Sequence, residues 1–141
     1  MPTNKLFFAS AQDVEAAFYE AIERADLDAL MAVWAEDEEI VCIHPGSGRI
    51  SGYLHIRESW RRIFEGGARL RIRTRVMSTV VNPFAAVHSL IEEVALRGAE
   101  EATAAVTATN IYVRGPLGWR MVMHHGSAAP AESSQAPQTL H

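Results

Sequence analysis

The sequence predicts a single α+β domain in which three helices precede and cover one face of a curved antiparallel sheet. Three observations carry this. Apolar residues recur at helical spacing only in the first half of the chain. The second half alternates with a period of two, and the connections between its strands are too short to hold crossover helices. A chain of 141 residues is long enough to bury one continuous core without disulfide or metal support.

The elements follow in order. Ser10 precedes Val14, Ala17, Phe18, Ala21 and Ile22, an apolar stripe with a capping residue in front of it and Asp13 in the first turn. Asp26 caps a second helix whose stripe is Leu27, Leu30, Met31 and Trp34, with Asp28 favourably placed at the positive end. Ile40-Val41-Cys42-Ile43 reads as a short β-branched strand stopped by His44-Pro45-Gly46-Ser47-Gly48. A third helix starts at Gly52, sets Ile56, Trp60, Ile63 and Phe64 on one face, and stops at Gly66-Gly67.

From Arg69 the period changes. Arg69, Arg71, Arg73 and Arg75 alternate with Leu70, Ile72, Thr74 and Val76, and Asn82-Pro83 breaks the strand. Further strands span about 84–96, 103–114 and 119–127, the last two joined by the turn Gly115-Pro116-Leu117-Gly118. Such long strands twist and coil, so the covered face becomes concave, and three helices over it enclose a small pocket.

Composition narrows the function. With 48% hydrophobic and 21% charged residues, the chain is neither charge-rich and disordered nor membrane-saturated. A formal charge of -4 gives no positive reservoir for a phosphate backbone, which argues against nucleic acid as a partner. Cys42 is the only cysteine, so no intrachain disulfide or CxxC motif exists. The apolar stretch at Leu6-Phe7-Phe8-Ala9 is far shorter than a signal h-region, no run reaches membrane-span length, and a soluble, cytoplasmic protein is expected. No P-loop, GxSxG, HExxH or GxGxxG motif is present, so the sequence points to no cofactor. Glu92-Glu93 and Glu100-Glu101 are consecutive pairs whose side chains diverge, which does not support a two-carboxylate site.

Some residues go beyond pattern. Ala25-Asp26-Leu27-Asp28-Ala29-Leu30, then Trp34-Ala35-Glu36-Asp37, a strand, a Gly-containing turn and a helix resemble the N-terminal half of nuclear transport factor 2-like proteins, including SnoaL-like and ketosteroid isomerase-like members. Ala108-Thr109-Asn110-Ile111-Tyr112-Val113 and Gly118-Trp119-Arg120-Met121-Val122-Met123-His124-His125 resemble the closing hairpin of the SnoaL-like branch. The resemblance spans about residues 10–130. It implies a cone-like fold with an N-terminal extension at 1–9, a SnoaL-like domain at 10–127 and a disordered tail at 128–141. It specifies the fold well and the reaction poorly, because this scaffold hosts isomerases, dehydratases, cyclases and proteins without chemistry.

In ketosteroid isomerases a carboxylate base is opposed by a Tyr and a protonated Asp. The resemblance places Phe18 at the Tyr position, His44 at the base and Asn110 at the proton-donating Asp. All three differ from that family's pattern. Tyr19 becomes the Tyr equivalent if the register is displaced by one.

The residues themselves support a short set of candidates. His44, closing the first strand, titrates near neutrality and could serve as a base; equally, it could shape the turn. Asn110 shares a strand face with Ala104, Val106, Ala108 and Tyr112, which suits either a cavity wall or a buried, satisfied amide. His124 and His125 point to opposite faces; the parity of Trp119, Met121 and Met123 assigns His125 to the concave side, where His88 approaches it. No carboxylate or Cys cluster completes a metal site. Trp34, Tyr53, Trp60, Phe64, Met121 and Met123 supply an aromatic and thioether wall or ordinary core, with Tyr53 at the rim. The arginine ladder reads as a solvated strand face that can pair with Glu93.

Two readings remain. One is a pocket protein binding a small, largely apolar molecule, with cofactor-independent acid/base chemistry of isomerase, dehydratase or cyclase type. There His44 moves a proton, Asn110 holds an oxyanion, and Phe18, Tyr19, Trp34, Tyr53, Trp60, His88, Tyr112, Met123 and His125 contact the ligand. The other is a non-catalytic homodimeric ligand-binding or association module. In it Thr103, Ala105, Thr107, Thr109, Ile111 and Val113 form the outer sheet face, through which relatives commonly dimerise.

Overall fold

The computed structural model describes residues 6–100 and 102–129. Helix α1 (Ala11–Arg24) begins where the capping residue predicts, with Ser10 Oγ accepting from the Asp13 amide at 3.0 Å. Ala25 closes it in the left-handed region (φ 53), its N–H returned to the carbonyls of Ala21 and Ile22. The tight reversal leads into α2 (Leu27–Ala32), where Asp26 Oδ1 accepts from the Ala29 amide at 3.0 Å. α2 is shorter than its apolar stripe suggests. Trp34 lies beyond it and forms an isolated parallel bridge with Met121.

Strand β1 (Val41–Ile43), strand β2 (Arg49–Ser51) and helix α3 (Tyr53–Glu65) follow, then the meander β3 (Leu70–Asn82), β4 (Ala85–Leu96), β5 (Ala104–Gly115) and β6 (Gly118–Ala128). The order across the sheet is β2-β1-β6-β5-β4-β3. Two features correct the sequence reading. β2 was not foreseen, because Ile50 is the one apolar residue in three and leaves no periodicity to read. The sheet is mixed, since β1 runs parallel to β6 with Val41 opposite Met123 and Ile43 opposite His125. The chain between them is long enough for such a crossover, whereas neighbours joined by a tight turn must pair antiparallel.

α1 packs across β3, β5 and β6, and α3 adjoins α2 and β2. The covered face is a continuous core: Phe18, Leu30, Trp34, Ile56, Leu90, Tyr112 and Met121 are fully buried. Removing one of the larger side chains would cost about 3–5 kcal/mol. On the opposite face a row of apolar residues crosses the sheet in register, from Val80 through Val87, Ile111 and Met123 to Val41. None belongs to the core.

Two bulges matter. One lies between Val76 and Ser78 in β3; the other displaces the β5–β6 pairing, so that Tyr112 faces Met121 while Ile111 faces Met123. Val122 is the extra residue, and the alternation reverses after it. Part of the predicted N-terminal extension is tied to the domain: Phe8 bridges Gly118, and its carbonyl accepts from the Trp119 amide at 2.9 Å. Residues 1–5, and the predicted tail from residue 130, lie outside the described residues. No described helix is long and apolar enough to cross a membrane.

Candidate functional site

Within the apolar core of the concave side, successive elements aim a set of polar side chains at one another. Glu15 and Tyr19 sit one turn apart on α1 and so share a face. His88 and Glu92 point inward from β4, Asn110 and Tyr112 from β5, and His124 from β6, by the two-residue period of strands. All are buried.

They form two branches. In the first, the Tyr19 hydroxyl donates to Glu92 Oε2 at 2.6 Å and accepts from Asn110 Nδ2 at 3.0 Å. Asn110 Oδ1 lies 2.6 Å from His124 Nδ1, which therefore carries the proton and donates. In the second, Glu15 Oε2 accepts from the Tyr112 hydroxyl at 2.7 Å and lies 2.8 Å from His88 Nδ1. Among the described residues His88 Nε2 has no hydrogen-bond partner. Groups this deep are tolerated because nearly every one is paired.

Burial sets the protonation states. His124 is held down to about 3, chiefly by desolvation, with the nearby His44 and His125 adding to the effect. It is a neutral imidazole whose one proton is on Nδ1. Desolvation and the charge of Glu15 push the Glu92 carboxyl above the usual carboxylate range, against the opposing effect of the Tyr19 hydrogen bond. The Tyr19 and Tyr112 hydroxyls keep their protons far above the ordinary phenol range, first through burial and then through the neighbouring carboxylates.

His44 stands just past β1. Its Nε2 lies 3.1 Å from Ser59 Oγ on α3, and its ring meets Trp60 edge-on at 4.8 Å. Ser59 Oγ donates to the Ile56 carbonyl at 2.9 Å, so the His44 Nε2–H donates to Ser59 and Nδ1 keeps the lone pair. Desolvation lowers the imidazole pKa. Cys42 Sγ is 3.8 Å from the same nitrogen, and burial pushes its thiol up to about 12.

The structure brings Tyr19 and Asn110 together; Phe18 is packed core against Tyr19, Trp34 and Trp60. Trp34 and Trp60 are buried, and the half-buried Tyr53 donates to the Met31 carbonyl at 3.4 Å. His44 and Asn110 are not in contact. His44 approaches the network through Trp60, which is 6.4 Å from His124. Two orientations are corrected: His125 is exposed while His124 is buried, and Met123 turns to the outer face. The cause is the bulge at Val122, which the sequence parity ignored.

Glu15, Ser59, Glu92 and His124 were missed. Glu92 and Glu93 do diverge as adjacent strand residues must, with Glu93 3.9 Å from Arg75 outside. The carboxylate that Glu92 feels is Glu15, far off in sequence, and its signal was an acidic residue flanking the apolar stripe of α1.

Hollows open at three places among the described residues, one of them against His88. One of 540 Å³ runs between Trp34–Asp37 and the β5–β6 turn, with Arg120 and Val122 in its wall. One of 440 Å³ is lined by Glu36–Glu38 and Ser51–His55. One of 200 Å³ lies between the start of α1 and Val81, Ala86, His88 and Trp119. His44 and Asn110 line none of the three. Among the described residues no three His, Cys, Asp or Glu side chains are grouped to hold a metal ion.

Helices on one face of a curved sheet, with polar residues converging from α1, β4, β5 and β6, define the nuclear transport factor 2-like class. Residues 12–132 match the model of the SnoaL-like domain, and the chain belongs to that family. Among solved structures it is similar to a protein from Thiobacillus denitrificans described as a calcium/calmodulin-dependent protein kinase type II association domain. That match has 32% identity and a TM-score of 0.84, and covers 88% of this chain and 98% of the other. It is also similar to a Streptomyces avermitilis protein assigned as a dehydratase of the nuclear transport factor 2-like family, with 28% identity, a TM-score of 0.74 and coverage of 84% and 92%. A ketosteroid isomerase-like protein from Erwinia carotovora atroseptica shares the fold at 20% identity and a TM-score of 0.69, over 84% and 94% of the two chains. No curated protein matches.

Proposed function

We propose that this protein is a homodimeric SnoaL-like association module whose outer sheet face meets the same face of a second copy. The observation that carries this is the apolar row Val80, Val87, Ile111, Met123 and Val41, which crosses five strands in register on the face away from the helices. A neighbouring row, Ser78, Ser89, Thr109 and His125, is short and polar, so two such faces can approach closely about a two-fold axis. The similarity to a protein described as an association domain supports the same reading. The concave network, paired throughout except at His88 Nε2, then serves as a specifying core.

Sedimentation tests this. The chain should run at twice its 15.5 kDa mass at micromolar concentration, and Ile111→Glu should run as a folded monomer. A monomeric parent, or an Ile111→Glu variant with unchanged mass, would remove the proposal.

One observation favours the acid/base reading as a second: His44 is kept neutral by burial and retains a lone pair at Nδ1. If it moves a proton for a small carbonyl compound, turnover should break on the acid side of the ordinary imidazole range and vanish in His44→Ala. An unchanged rate in that variant removes His44 from any mechanism.

A further inference from the structure

The 200 Å³ hollow at the start of α1 touches the concave network at His88 and is required by neither reading. Its lining contains Ala9, Ser10, Ala11, Val81, Ala86 and Trp119, together with Gln12 and His88, and no acidic side chain. Two independent features converge there. The first turn of α1, a helix of 14 residues, presents amides before Asp13 that have no intrahelical acceptor, at the positive end of the helix dipole. Beside them stands His88, 1% exposed, with Nδ1 bound to Glu15 and Nε2 without a partner among the described residues. A buried ring nitrogen left unsatisfied in an otherwise paired network calls for an account.

We propose that this hollow binds a small monocarboxylate, its oxygens held by His88 Nε2–H and the first amides of α1 and its short apolar tail lying on Val81, Ala86 and Trp119. Glu15 is the positioning residue. It accepts from Nδ1–H and so leaves Nε2 as the ring nitrogen that meets the ligand, one proton lying between that nitrogen and a carboxyl oxygen. The titratable groups facing His88 are Glu15 from α1 and Tyr112 from β5, with Glu92 further along its own strand; Thr79 on β3 and Asn110 on β5, its cross-strand partners, are uncharged. The volume lies below that of drug-sized sites, which restricts the ligand to a few heavy atoms.

The test is a titration of the full chain with propionate, followed by amide and imidazole nitrogen NMR. Saturable shifts are expected at Ala11, Gln12 and His88 Nε2, and propionamide should give none. His88→Leu should weaken binding by about tenfold or more, since a charge-assisted hydrogen bond is lost. Because that variant disturbs a buried pair, two exposed-side variants accompany it: Gln12→Glu places a like charge at the mouth, and Val81→Trp fills the hollow. Each should weaken propionate binding with the melting temperature little changed. Absence of saturation at millimolar propionate, equal binding of propionamide, or affinity unmoved by both Gln12→Glu and Val81→Trp would overturn the proposal.

Discussion

At the scale of single residues, His124 and Glu92 give the fold opposite pH responses. His124 has a folded pKa near 3, so the unfolded chain binds the proton first as pH falls below about 6.5. Its stabilising effect is fully present above that pH and is lost on acidification towards 3, on the order of a few kcal/mol. Glu92 is raised: its contribution is fully present below its unfolded value of about 4.5 and is lost as pH rises through its folded pKa. Denaturant titrations from pH 3 to 8 should show His124→Asn with a flatter acid limb. In the same series Glu92→Gln, which still accepts from Tyr19, should gain relative stability towards neutral pH. Tyr19→Phe strips Glu92 and Asn110 of a shared partner and should cost about 1–3 kcal/mol in chemical denaturation. Of this network, Asn110 and Tyr112 were legible from strand parity. His124 was hidden by a bulge with no compositional mark, and Glu15 and Glu92 because partners so distant in sequence leave no local pattern.

At the scale of elements, the helices were legible because their signals are chemical as well as periodic. Ser10 and Asp26 each take an amide three residues on, where the sequence places the caps. Ser10→Ala should therefore cost about 1 kcal/mol in thermal unfolding. The long strands were read to within a residue or two from turns and alternation, but the brief β1–β2 hairpin offers too few residues for a period to show. Gly118 shows a constraint of another kind. It has φ 90, and a Cβ there would stand 2.4 Å from the Phe8 carbonyl oxygen, an atom of backbone that cannot swing aside. Gly118→Ala should destabilise by about 2 kcal/mol or more, detectable as a lower denaturation midpoint and as faster amide exchange at Trp119.

At the scale of the whole molecule, the order β2-β1-β6-β5-β4-β3 makes the last strand the centre of the sheet's connectivity. β1 has only β2 and β6 as neighbours, so Val41 waits for Met123. During synthesis the first half of the chain emerges long before its partner exists, with Phe18, Trp34 and Trp60 lacking the sheet that buries them. A chain ending before Gly118 should remain unfolded by circular dichroism, whatever the helical propensity of its first half. Completion of the fold therefore becomes a late, nearly all-or-none event tied to release of the C-terminal strand, and a nascent chain stalled short of it would present the apolar helix faces to chaperones.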